Sequence, residues 1–478
     1  MPLLKANNPL ARVDAGAISG RSNPSILLKI FLAALAVRWV YALLLYHHMG
    51  DDGLKGLDST TYAANAEAFA RAIHAGAVHG THWLGNAPYT MPLYQWLTTL
   101  PFLLFGSAGA ISHILLQGAL DSGTCTLVYV LARSFDEKIA ILSAIVAILN
   151  PTQIVLSGLI YNDTSFTFFV TLALFFTVRW TAKPSWLNGV GLGCALGCAA
   201  LIRVSIAPWG FFAICLIASY DVYRHAALFN YVKLLLAAAI LSLSLGIIAA
   251  RNVTQFGTLT LTPQGGDYLA LWIFPLAKEA QDRTPYTTSL EKIIARTTER
   301  FGPPSANPFE QSVRYQELGR EAISNEIQFS SLLKSWASGI FINLTSPAHL
   351  ISPPVSQLPR AGFYGTPGGS FVEKVFNFTF RSGNVTYTWL LILGGIGLLA
   401  VRMIQIVGVI TVASQGRHWP NMIFAASWIV YLLILNGPIA SPKYRLPLEP
   451  LFDIMTGAGL LAIRNARKPT THTESRVE

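Results

Sequence analysis

Charge is what this sequence most lacks. Only 12% of its 478 residues are Asp, Glu, Lys or Arg, and 52% are hydrophobic, whereas soluble domains carry roughly 25% charged residues. The deficit argues against an ordinary water-soluble globule. It points to a polytopic membrane protein, because a bilayer core has no water to hydrate charge. Cysteine is scarce too. Cys125, Cys194, Cys198 and Cys215 all lie in apolar runs and read as small core residues, neither a disulfide framework nor a thiol metal site. The chain has no Gly-rich phosphate loop of the Walker type, no HExxH helix and no internal repeat, which removes the commonest sequence signatures of nucleotide, zinc-protease and solenoid chemistry. No small-residue cleavage site follows the first apolar run. Lys5, Arg12 and Arg21 precede it, so it reads as an uncleaved first span. In this setting the net charge of +10 is no nucleic-acid signal. The excess belongs in cytoplasmic loops, or beside an anionic lipid or phosphate.

What the chain does have is apolar runs of spanning length, about 20 residues for a core of ~30 Å. They fall near 25–47, 111–132, 139–158, 164–180, 187–203, 205–220, 232–250, 386–412, 419–436 and 447–464. The stretch 90–106 is shorter and carries Pro92 and Pro101. If it stays on the outer side as an interfacial or re-entrant helix, the basic loops share the cytoplasmic side, as the positive-inside rule expects. Those loops hold Arg133 and Lys138, Arg179 and Lys183, Arg224 and Lys233, Arg417, and Arg464, Arg467 and Lys468, together with the N-terminus. The chain then divides into an N-terminal transmembrane catalytic module, 1–250, with outer loop 48–110. A large extracytoplasmic loop, 251–385, follows, then C-terminal spans 386–464 and a cytoplasmic tail 465–478. The large loop has water-soluble composition, with helical pattern over 288–300 and 309–338 and a Pro/Gly-rich irregular stretch at 345–370.

The candidate chemistry gathers at the outer ends of spans. Asp58 opens the stretch "DSTTYAANAEAFARAI", in which Tyr62, Ala66, Phe69 and Ile73 recur at helical spacing opposite Asn65, Glu67 and Arg71. This predicts an amphipathic helix on the outer interface. Asp58 reads either as its N-cap or as a general base held at the membrane surface. Asp163, at the start of the span 164–180, again reads as an N-cap, or as a second functional carboxylate converging with Asp58 on one face of the membrane. Arg203, Arg251 with Asn252, and Lys443-Tyr444-Arg445 lie at span ends on the same face. Each alone reads as a snorkelling side chain. Together, on the face the positive-inside rule leaves poor in cations, they suggest an anionic ligand, and phosphate suits arginine best. His47, His48, His74, His79 and His82 lie near Asp51 and Asp52. They supply ligand types for a divalent metal without repeating the spacing of a known site, and no other cofactor is indicated. Arg38 and Asp121, both mid-span, are expected to pair across helices, because an unpaired charge in lipid is expensive.

The order of these motifs resembles the membrane-embedded GT-C glycosyltransferases, in the branch that includes protein O-mannosyltransferases and the lipid A aminoarabinose transferase. The resemblance runs over about 40–464. It rests on Asp58 with Tyr62 and Ala66, "MPLYQWLTTLPFLLFG", "LLQGAL", "NPTQIVLSGLIYND", Arg203, "RN" with "FG" at 251–257, and "YRLP" at 444–447. The chain departs from the pattern where Ser59 follows Asp58, since the family often has two adjacent acids there, and where Asp163 replaces a frequent Glu. The resemblance implies an all-α GT-C-like bundle of about 10–11 transmembrane helices, with interfacial helices in the first outer loop and a mixed outer loop near 251–385. It implies transfer of a sugar from a polyprenyl- or dolichyl-phosphate donor, with inversion, to a glycan, lipid or protein acceptor on the extracytoplasmic face. Asp58 and Asp163 would be the catalytic carboxylates, Arg203, Arg251, Lys443 and Arg445 the donor-phosphate cations, and Tyr62, Asn252 and Tyr444 substrate contacts. Membrane lipids are partners and nucleic acid is not. The rival class is a multi-pass transporter or lipid flippase, which repeated halves and broken midplane helices would favour; neither is visible in the sequence.

Overall fold

The computed structural model describes residues 23–467 except 57, 382 and 417. Lys5, Arg12, Arg21, Arg417 and Lys468, which entered the charge-sidedness argument, lie outside the described residues. The protein is an all-helical polytopic membrane protein, with no strand among the described residues. Among the described residues eight helices are long and apolar enough to cross a membrane, and a bent pair makes a ninth. A shorter apolar helix, Trp186–Ala200, fills the remaining expected position.

The N-terminal half runs α1 (Pro24–Met49), α2 (Ser59–His74), α3 (Pro92–Phe105), α4 (Gly109–Ala132), α5 (Glu137–Leu149), α6 (Pro151–Ser157), α7 (Asn162–Ala182), α8 (Trp186–Ala200), α9 (Ala207–Tyr223) and α10 (Phe229–Phe256). α2 is the amphipathic helix the spacing predicts: Ala63, Ala66, Phe69 and Ala70 are buried, while Glu67 and Arg71 pair outside at 2.6 Å. α3, about 21 Å long at 1.5 Å per residue, breaks from α4 at Gly106, whose φ of 55° suits glycine alone. It then folds back along α4. A Cβ on Gly109 would lie 2.5 Å from the Phe102 ring, and His113 Nδ1 meets the Leu97 carbonyl at 3.1 Å. The expected span 139–158 is bent by 46° between α5 and α6. Pro151 lacks the N–H that a continuous helix needs, and Asn150 caps the new helix through the Thr152 N–H at 2.9 Å.

The carbonyls freed at that break and at the C-terminal end of α6 are satisfied from neighbouring helices. Gln117 donates to the carbonyls of Leu156, Ser157 and Leu159, the last at 2.7 Å. Arg38 donates to Ala147 and Ile148 and pairs with Asp121 at 2.8 Å, fully buried, as the sequence predicts. Glycines bring spans to backbone contact, the usual device where lipid removes the hydrophobic drive between helices. Cβ atoms on Gly189, Gly193 and Gly197 of α8 would strike α10 at 2.5–2.9 Å.

The segment between α10 and the later spans contains a six-residue π turn, Tyr268–Ile273, followed by α11 (Phe274–Asp282), α12 (Tyr286–Phe301), α13 (Pro308–Glu326) and α14 (Phe329–Thr345). The predicted helical stretch 309–338 is therefore two helices, separated at Ile327 and Gln328. The irregular 345–370 stretch holds only short helical turns before α15 (Phe371–Phe380). The chain closes with α16 (Val385–Ser414), α17 (Trp419–Asn436), a 3₁₀ segment Pro442–Leu448, and α18 (Glu449–Ala466). Buried Trp180, Trp209 and Trp428 centre the largest apolar core, built from α7 to α10, α17 and α18.

Candidate active site

Asp58 occupies the N-cap position of α2 but makes no side-chain capping bond. Its carboxylate instead forms an ion pair with Lys443, 385 residues away. The loop before it is pressed against the α6–α7 turn. The Ile160 N–H reaches the Leu54 carbonyl at 3.0 Å, and a Cβ on Gly56 would fall 1.9 Å from the Tyr161 hydroxyl. Lys443 sits on the 3₁₀ segment, started by Pro442 and by the Ser441 cap. Successive residues of a 3₁₀ helix diverge by a third of a turn, so Lys443, Tyr444 and Arg445 separate. The Lys443 ammonium lies 5.2 and 5.3 Å from the ring centroids of Tyr161 and Tyr444, a placement that favours a cation.

A second ion pair joins Asp163, in the first turn of α7, to Arg203, at the break before α9. Asp163 is buried and Arg203 is partly exposed, lying 5.4 Å over the Phe166 ring. Among the described residues Asp163 is the one hydrogen-bond partner of Arg203, so its guanidinium keeps donors for a ligand. Both pairs line one cavity of about 510 Å³, together with Tyr62, Asn162 and Tyr444. The Tyr62 hydroxyl accepts from Asn162 Nδ2 at 3.4 Å. Burial, with Asp58 nearby, pushes its pKa up to about 12, so it is a neutral donor at any working pH.

Three expected site residues do not line this cavity. Arg251 is fully buried at the end of α10, donating to the Thr90 carbonyl at 2.8 Å and to Asn252 Oδ1 at 2.9 Å. Asn252 donates to the carbonyls of Thr260 and Leu261 at 2.7 and 3.2 Å. These two residues staple the segments carrying Tyr89, Met91, Thr262 and Gln264, all of which do line the cavity. Arg445 is turned inward: it donates to Glu449 at 2.5 Å, to the Asn343 and Ser346 carbonyls at 2.8 Å, and to Thr152 Oγ1 at 2.9 Å. Asn150 extends that network, reaching Glu449 at 3.0 Å and Asp453 at 2.9 Å. Asp51 and Asp52 stay outside the cavity as well; Asp52 pairs with Lys55 at 3.2 Å.

The sequence reading missed Tyr89, Asp267, Tyr268, Trp272 and Asn436, which also line the cavity. The Trp- and Tyr-bearing apolar run after Gly265-Gly266, inside an otherwise polar loop, is the signal that could have found three of them. Among the described residues no three His, Cys, Asp or Glu side chains gather as metal ligands, and His47, His48, His74, His79 and His82 form no such group.

Residues 87–248 match the family model described as dolichyl-phosphate-mannose-protein mannosyltransferase. This match supports a membrane glycosyltransferase of the GT-C type. No curated protein matches the sequence. Solved structures with some likeness include ArnT from Cupriavidus metallidurans in the apo state, at 15% identity over 92% of this chain and 77% of that one, with a TM-score of 0.36. The same protein bound to undecaprenyl phosphate gives 12% identity over 93% and 79%, again with a TM-score of 0.36.

Proposed function

We propose that this protein transfers a sugar from a polyprenyl-phosphate donor to an acceptor hydroxyl, within the cavity that holds both ion pairs and on the extracytoplasmic side of the membrane. The observation that carries the reading is the convergence of two carboxylates and two cations, Asp58, Asp163, Arg203 and Lys443, from four separate parts of the chain. In the step proposed, the acceptor oxygen attacks the anomeric carbon and its proton passes to Asp58. The bond from that carbon to the phosphate oxygen breaks, and the electron pair leaves with the phosphate. A single in-line displacement inverts the anomeric centre. Lys443 and Arg203 stabilise the growing phosphate charge, the kind of preorganised electrostatic assistance that dominates many enzyme rates.

The ion pairs give this chemistry an order. While Asp58 is bonded to Lys443, its Oδ2 is held by the ammonium and is not free to take a proton. A lipid phosphate arriving at Lys443 takes over part of that ammonium and releases Asp58 toward the acceptor. Arg251, Asn252 and Arg445 act in this proposal as positioning residues. They fix the loop 87–91, the loop 258–264 and the 3₁₀ segment that present the reacting groups.

The test is direct. Purified protein is given a radiolabelled polyprenyl-phosphate sugar with and without a cell-envelope acceptor extract. Acceptor-dependent release of polyprenyl phosphate is expected. A donor that binds and is then recovered intact on the opposite side of proteoliposomes would replace the transferase reading with lipid translocation.

A further inference from the structure

The charged groups account for only part of the cavity wall. Another part is Tyr89, Gln264, Asp267, Tyr268 and Trp272, none of which the transfer chemistry uses. Their backbone is unusual. Tyr268–Ile273 forms a π turn, a rare geometry that tends to mark functional sites. It turns Tyr268 and Trp272, four residues apart, toward the same space. Both are firmly held. The Tyr268 hydroxyl donates to the Leu435 carbonyl at 2.7 Å. The Trp272 ring packs at 5.6 Å against Tyr286 and 5.4 Å against Tyr364. The Tyr286 hydroxyl donates to the Leu271 carbonyl at 3.0 Å, and Tyr364 is tied to Ala440 through the Ala440 N–H at 2.8 Å. Asp267 accepts from the Tyr89 hydroxyl at 3.2 Å. Tyr89 and Gln264 are exposed, so this wall reaches the cavity's opening.

We infer that this wall is a saccharide-binding subsite for the acceptor: Trp272 offers an aromatic face to the C–H face of a pyranose ring, and Asp267 accepts from the ring's hydroxyls. The chemistry favours a sugar over a peptide. A pyranose has one apolar face and a rim of donors, and it is matched by a rigid aromatic plane beside an acceptor-only carboxylate. Here the aromatic plane is buttressed by two further rings, which lowers the entropy cost of presenting it. The position also fits an acceptor more than the donor sugar, because the donor's phosphate has its cations in Lys443 and Arg203 and its sugar must sit beside Asp58. The inference rests on the transferase reading for the word acceptor, and on the wall's own geometry for the word saccharide.

The experiment uses the full chain in nanodiscs, with two separate probes. Undecaprenyl phosphate binding reports on the donor site, and a panel of methyl pyranosides, read by saturation-transfer NMR, reports on the wall. At least one pyranoside is expected to bind, with the strongest transfer to its C–H face. Trp272→Ala should weaken it roughly five- to tenfold while lipid-phosphate binding stays unchanged. Trp272→Phe, which keeps an aromatic face against Tyr286 and Tyr364, should hold within about twofold and serves if the alanine variant fails to fold. Asp267→Asn should weaken the glycoside several-fold. Pyranosides that bind equally to wild type and to Trp272→Phe, Trp272→Ala and Asp267→Asn would overturn the subsite. So would a protein that binds lipid phosphate but no pyranoside, or one in which a Ser/Thr-rich peptide displaces the glycoside. Binding of glycoside without lipid phosphate would spare the subsite and sink the donor reading instead.

Discussion

Lys443 and Arg445 stand two residues apart on one short 3₁₀ segment, and they lead opposite lives. Lys443 meets Asp58 at the rim of a cavity, with the Asp58 side chain half exposed at 47%. Arg445 is 1% exposed and meets four partners in the interior. The same contrast separates Arg203 from Arg251. In sequence all four are cations at span ends, and any of them could hold a phosphate. What separates them is enclosure: Arg251 and Arg445 are fully buried and bonded to groups of the fold, although Arg251 Nη2 has no partner among the described residues, while Lys443 and Arg203 line the cavity. A guanidinium that spends its donors on carbonyls and a buried carboxylate is part of the frame, and removing it leaves its partners stranded. A cation with one carboxylate partner beside an open cavity can trade that partner for a ligand.

The comparison can be broken most sharply at its acidic members. Asp58→Asn should lower sugar transfer by about 10²–10⁴-fold, the usual worth of a general base, with little change in thermal unfolding because the Asp58 side chain is half exposed. Transfer at the wild-type rate would remove Asp58 from catalysis. In the buried set the loss should fall on folding. Arg445→Ala leaves Glu449 unpaired beside Asp453, and breaking a buried pair costs about 3–5 kcal/mol. The detergent-solubilised variant should unfold at clearly lower temperature, whatever donor is present. An Arg445→Ala protein as stable as wild type that had lost only donor affinity would move Arg445 into the ligand set.

Much of this contrast was out of reach of the sequence, for a physical reason. Spans announce themselves through length and hydropathy, and each expected run has its helix. The Arg38–Asp121 pair was legible because a charge in lipid must find a partner. Asp58, Asp163, Arg203, Lys443, Tyr62 and Tyr444 were all named, and all line one cavity. Arg251, Asn252 and Arg445 were named for the same reason and stand elsewhere. A span-end position does not reveal whether a side chain turns toward solvent or toward carbonyls freed at a helix break. The aromatic wall was hidden differently. Trp272 and Tyr268 reach the cavity through a π turn, and no hydrophobic period encodes that irregularity. Asp58 teaches the converse: it stands at the N-cap position, yet its backbone is helical (φ −85°, ψ −14°) rather than extended as in a typical cap, and its carboxylate goes to Lys443 instead.

Two smaller perturbations sharpen the rim side of the comparison. Lys443→Ala should weaken lipid-phosphate binding about 10- to 100-fold, since hydrogen bonds to charged groups are worth about 1.5–3 kcal/mol. It should barely change stability, because a partly exposed ion pair contributes about 0–1 kcal/mol. A large stability loss with normal donor binding would place Lys443 with Arg445.

The smallest effect is expected at Tyr62. Its ring is fixed by edge-to-face packing on Tyr94 at 5.1 Å, so Tyr62→Phe keeps the packing and deletes only the hydroxyl that meets Asn162. A neutral hydrogen bond is worth about 0.5–1.5 kcal/mol, so kcat/KM should fall roughly two- to tenfold with no loss of stability. The pH dependence carries the finer test. Burial raises the pKa of Tyr62 to about 12, so the hydroxyl stays protonated as pH climbs from 7 to about 10.5. Any alkaline fall in activity over that interval should therefore persist in Tyr62→Phe. If the fall disappears in the variant, Tyr62 ionises within the working range. Its environment would then be wetter and more cationic than the closed Asp58–Lys443 pair implies, and the rim would be open even before a lipid phosphate arrives.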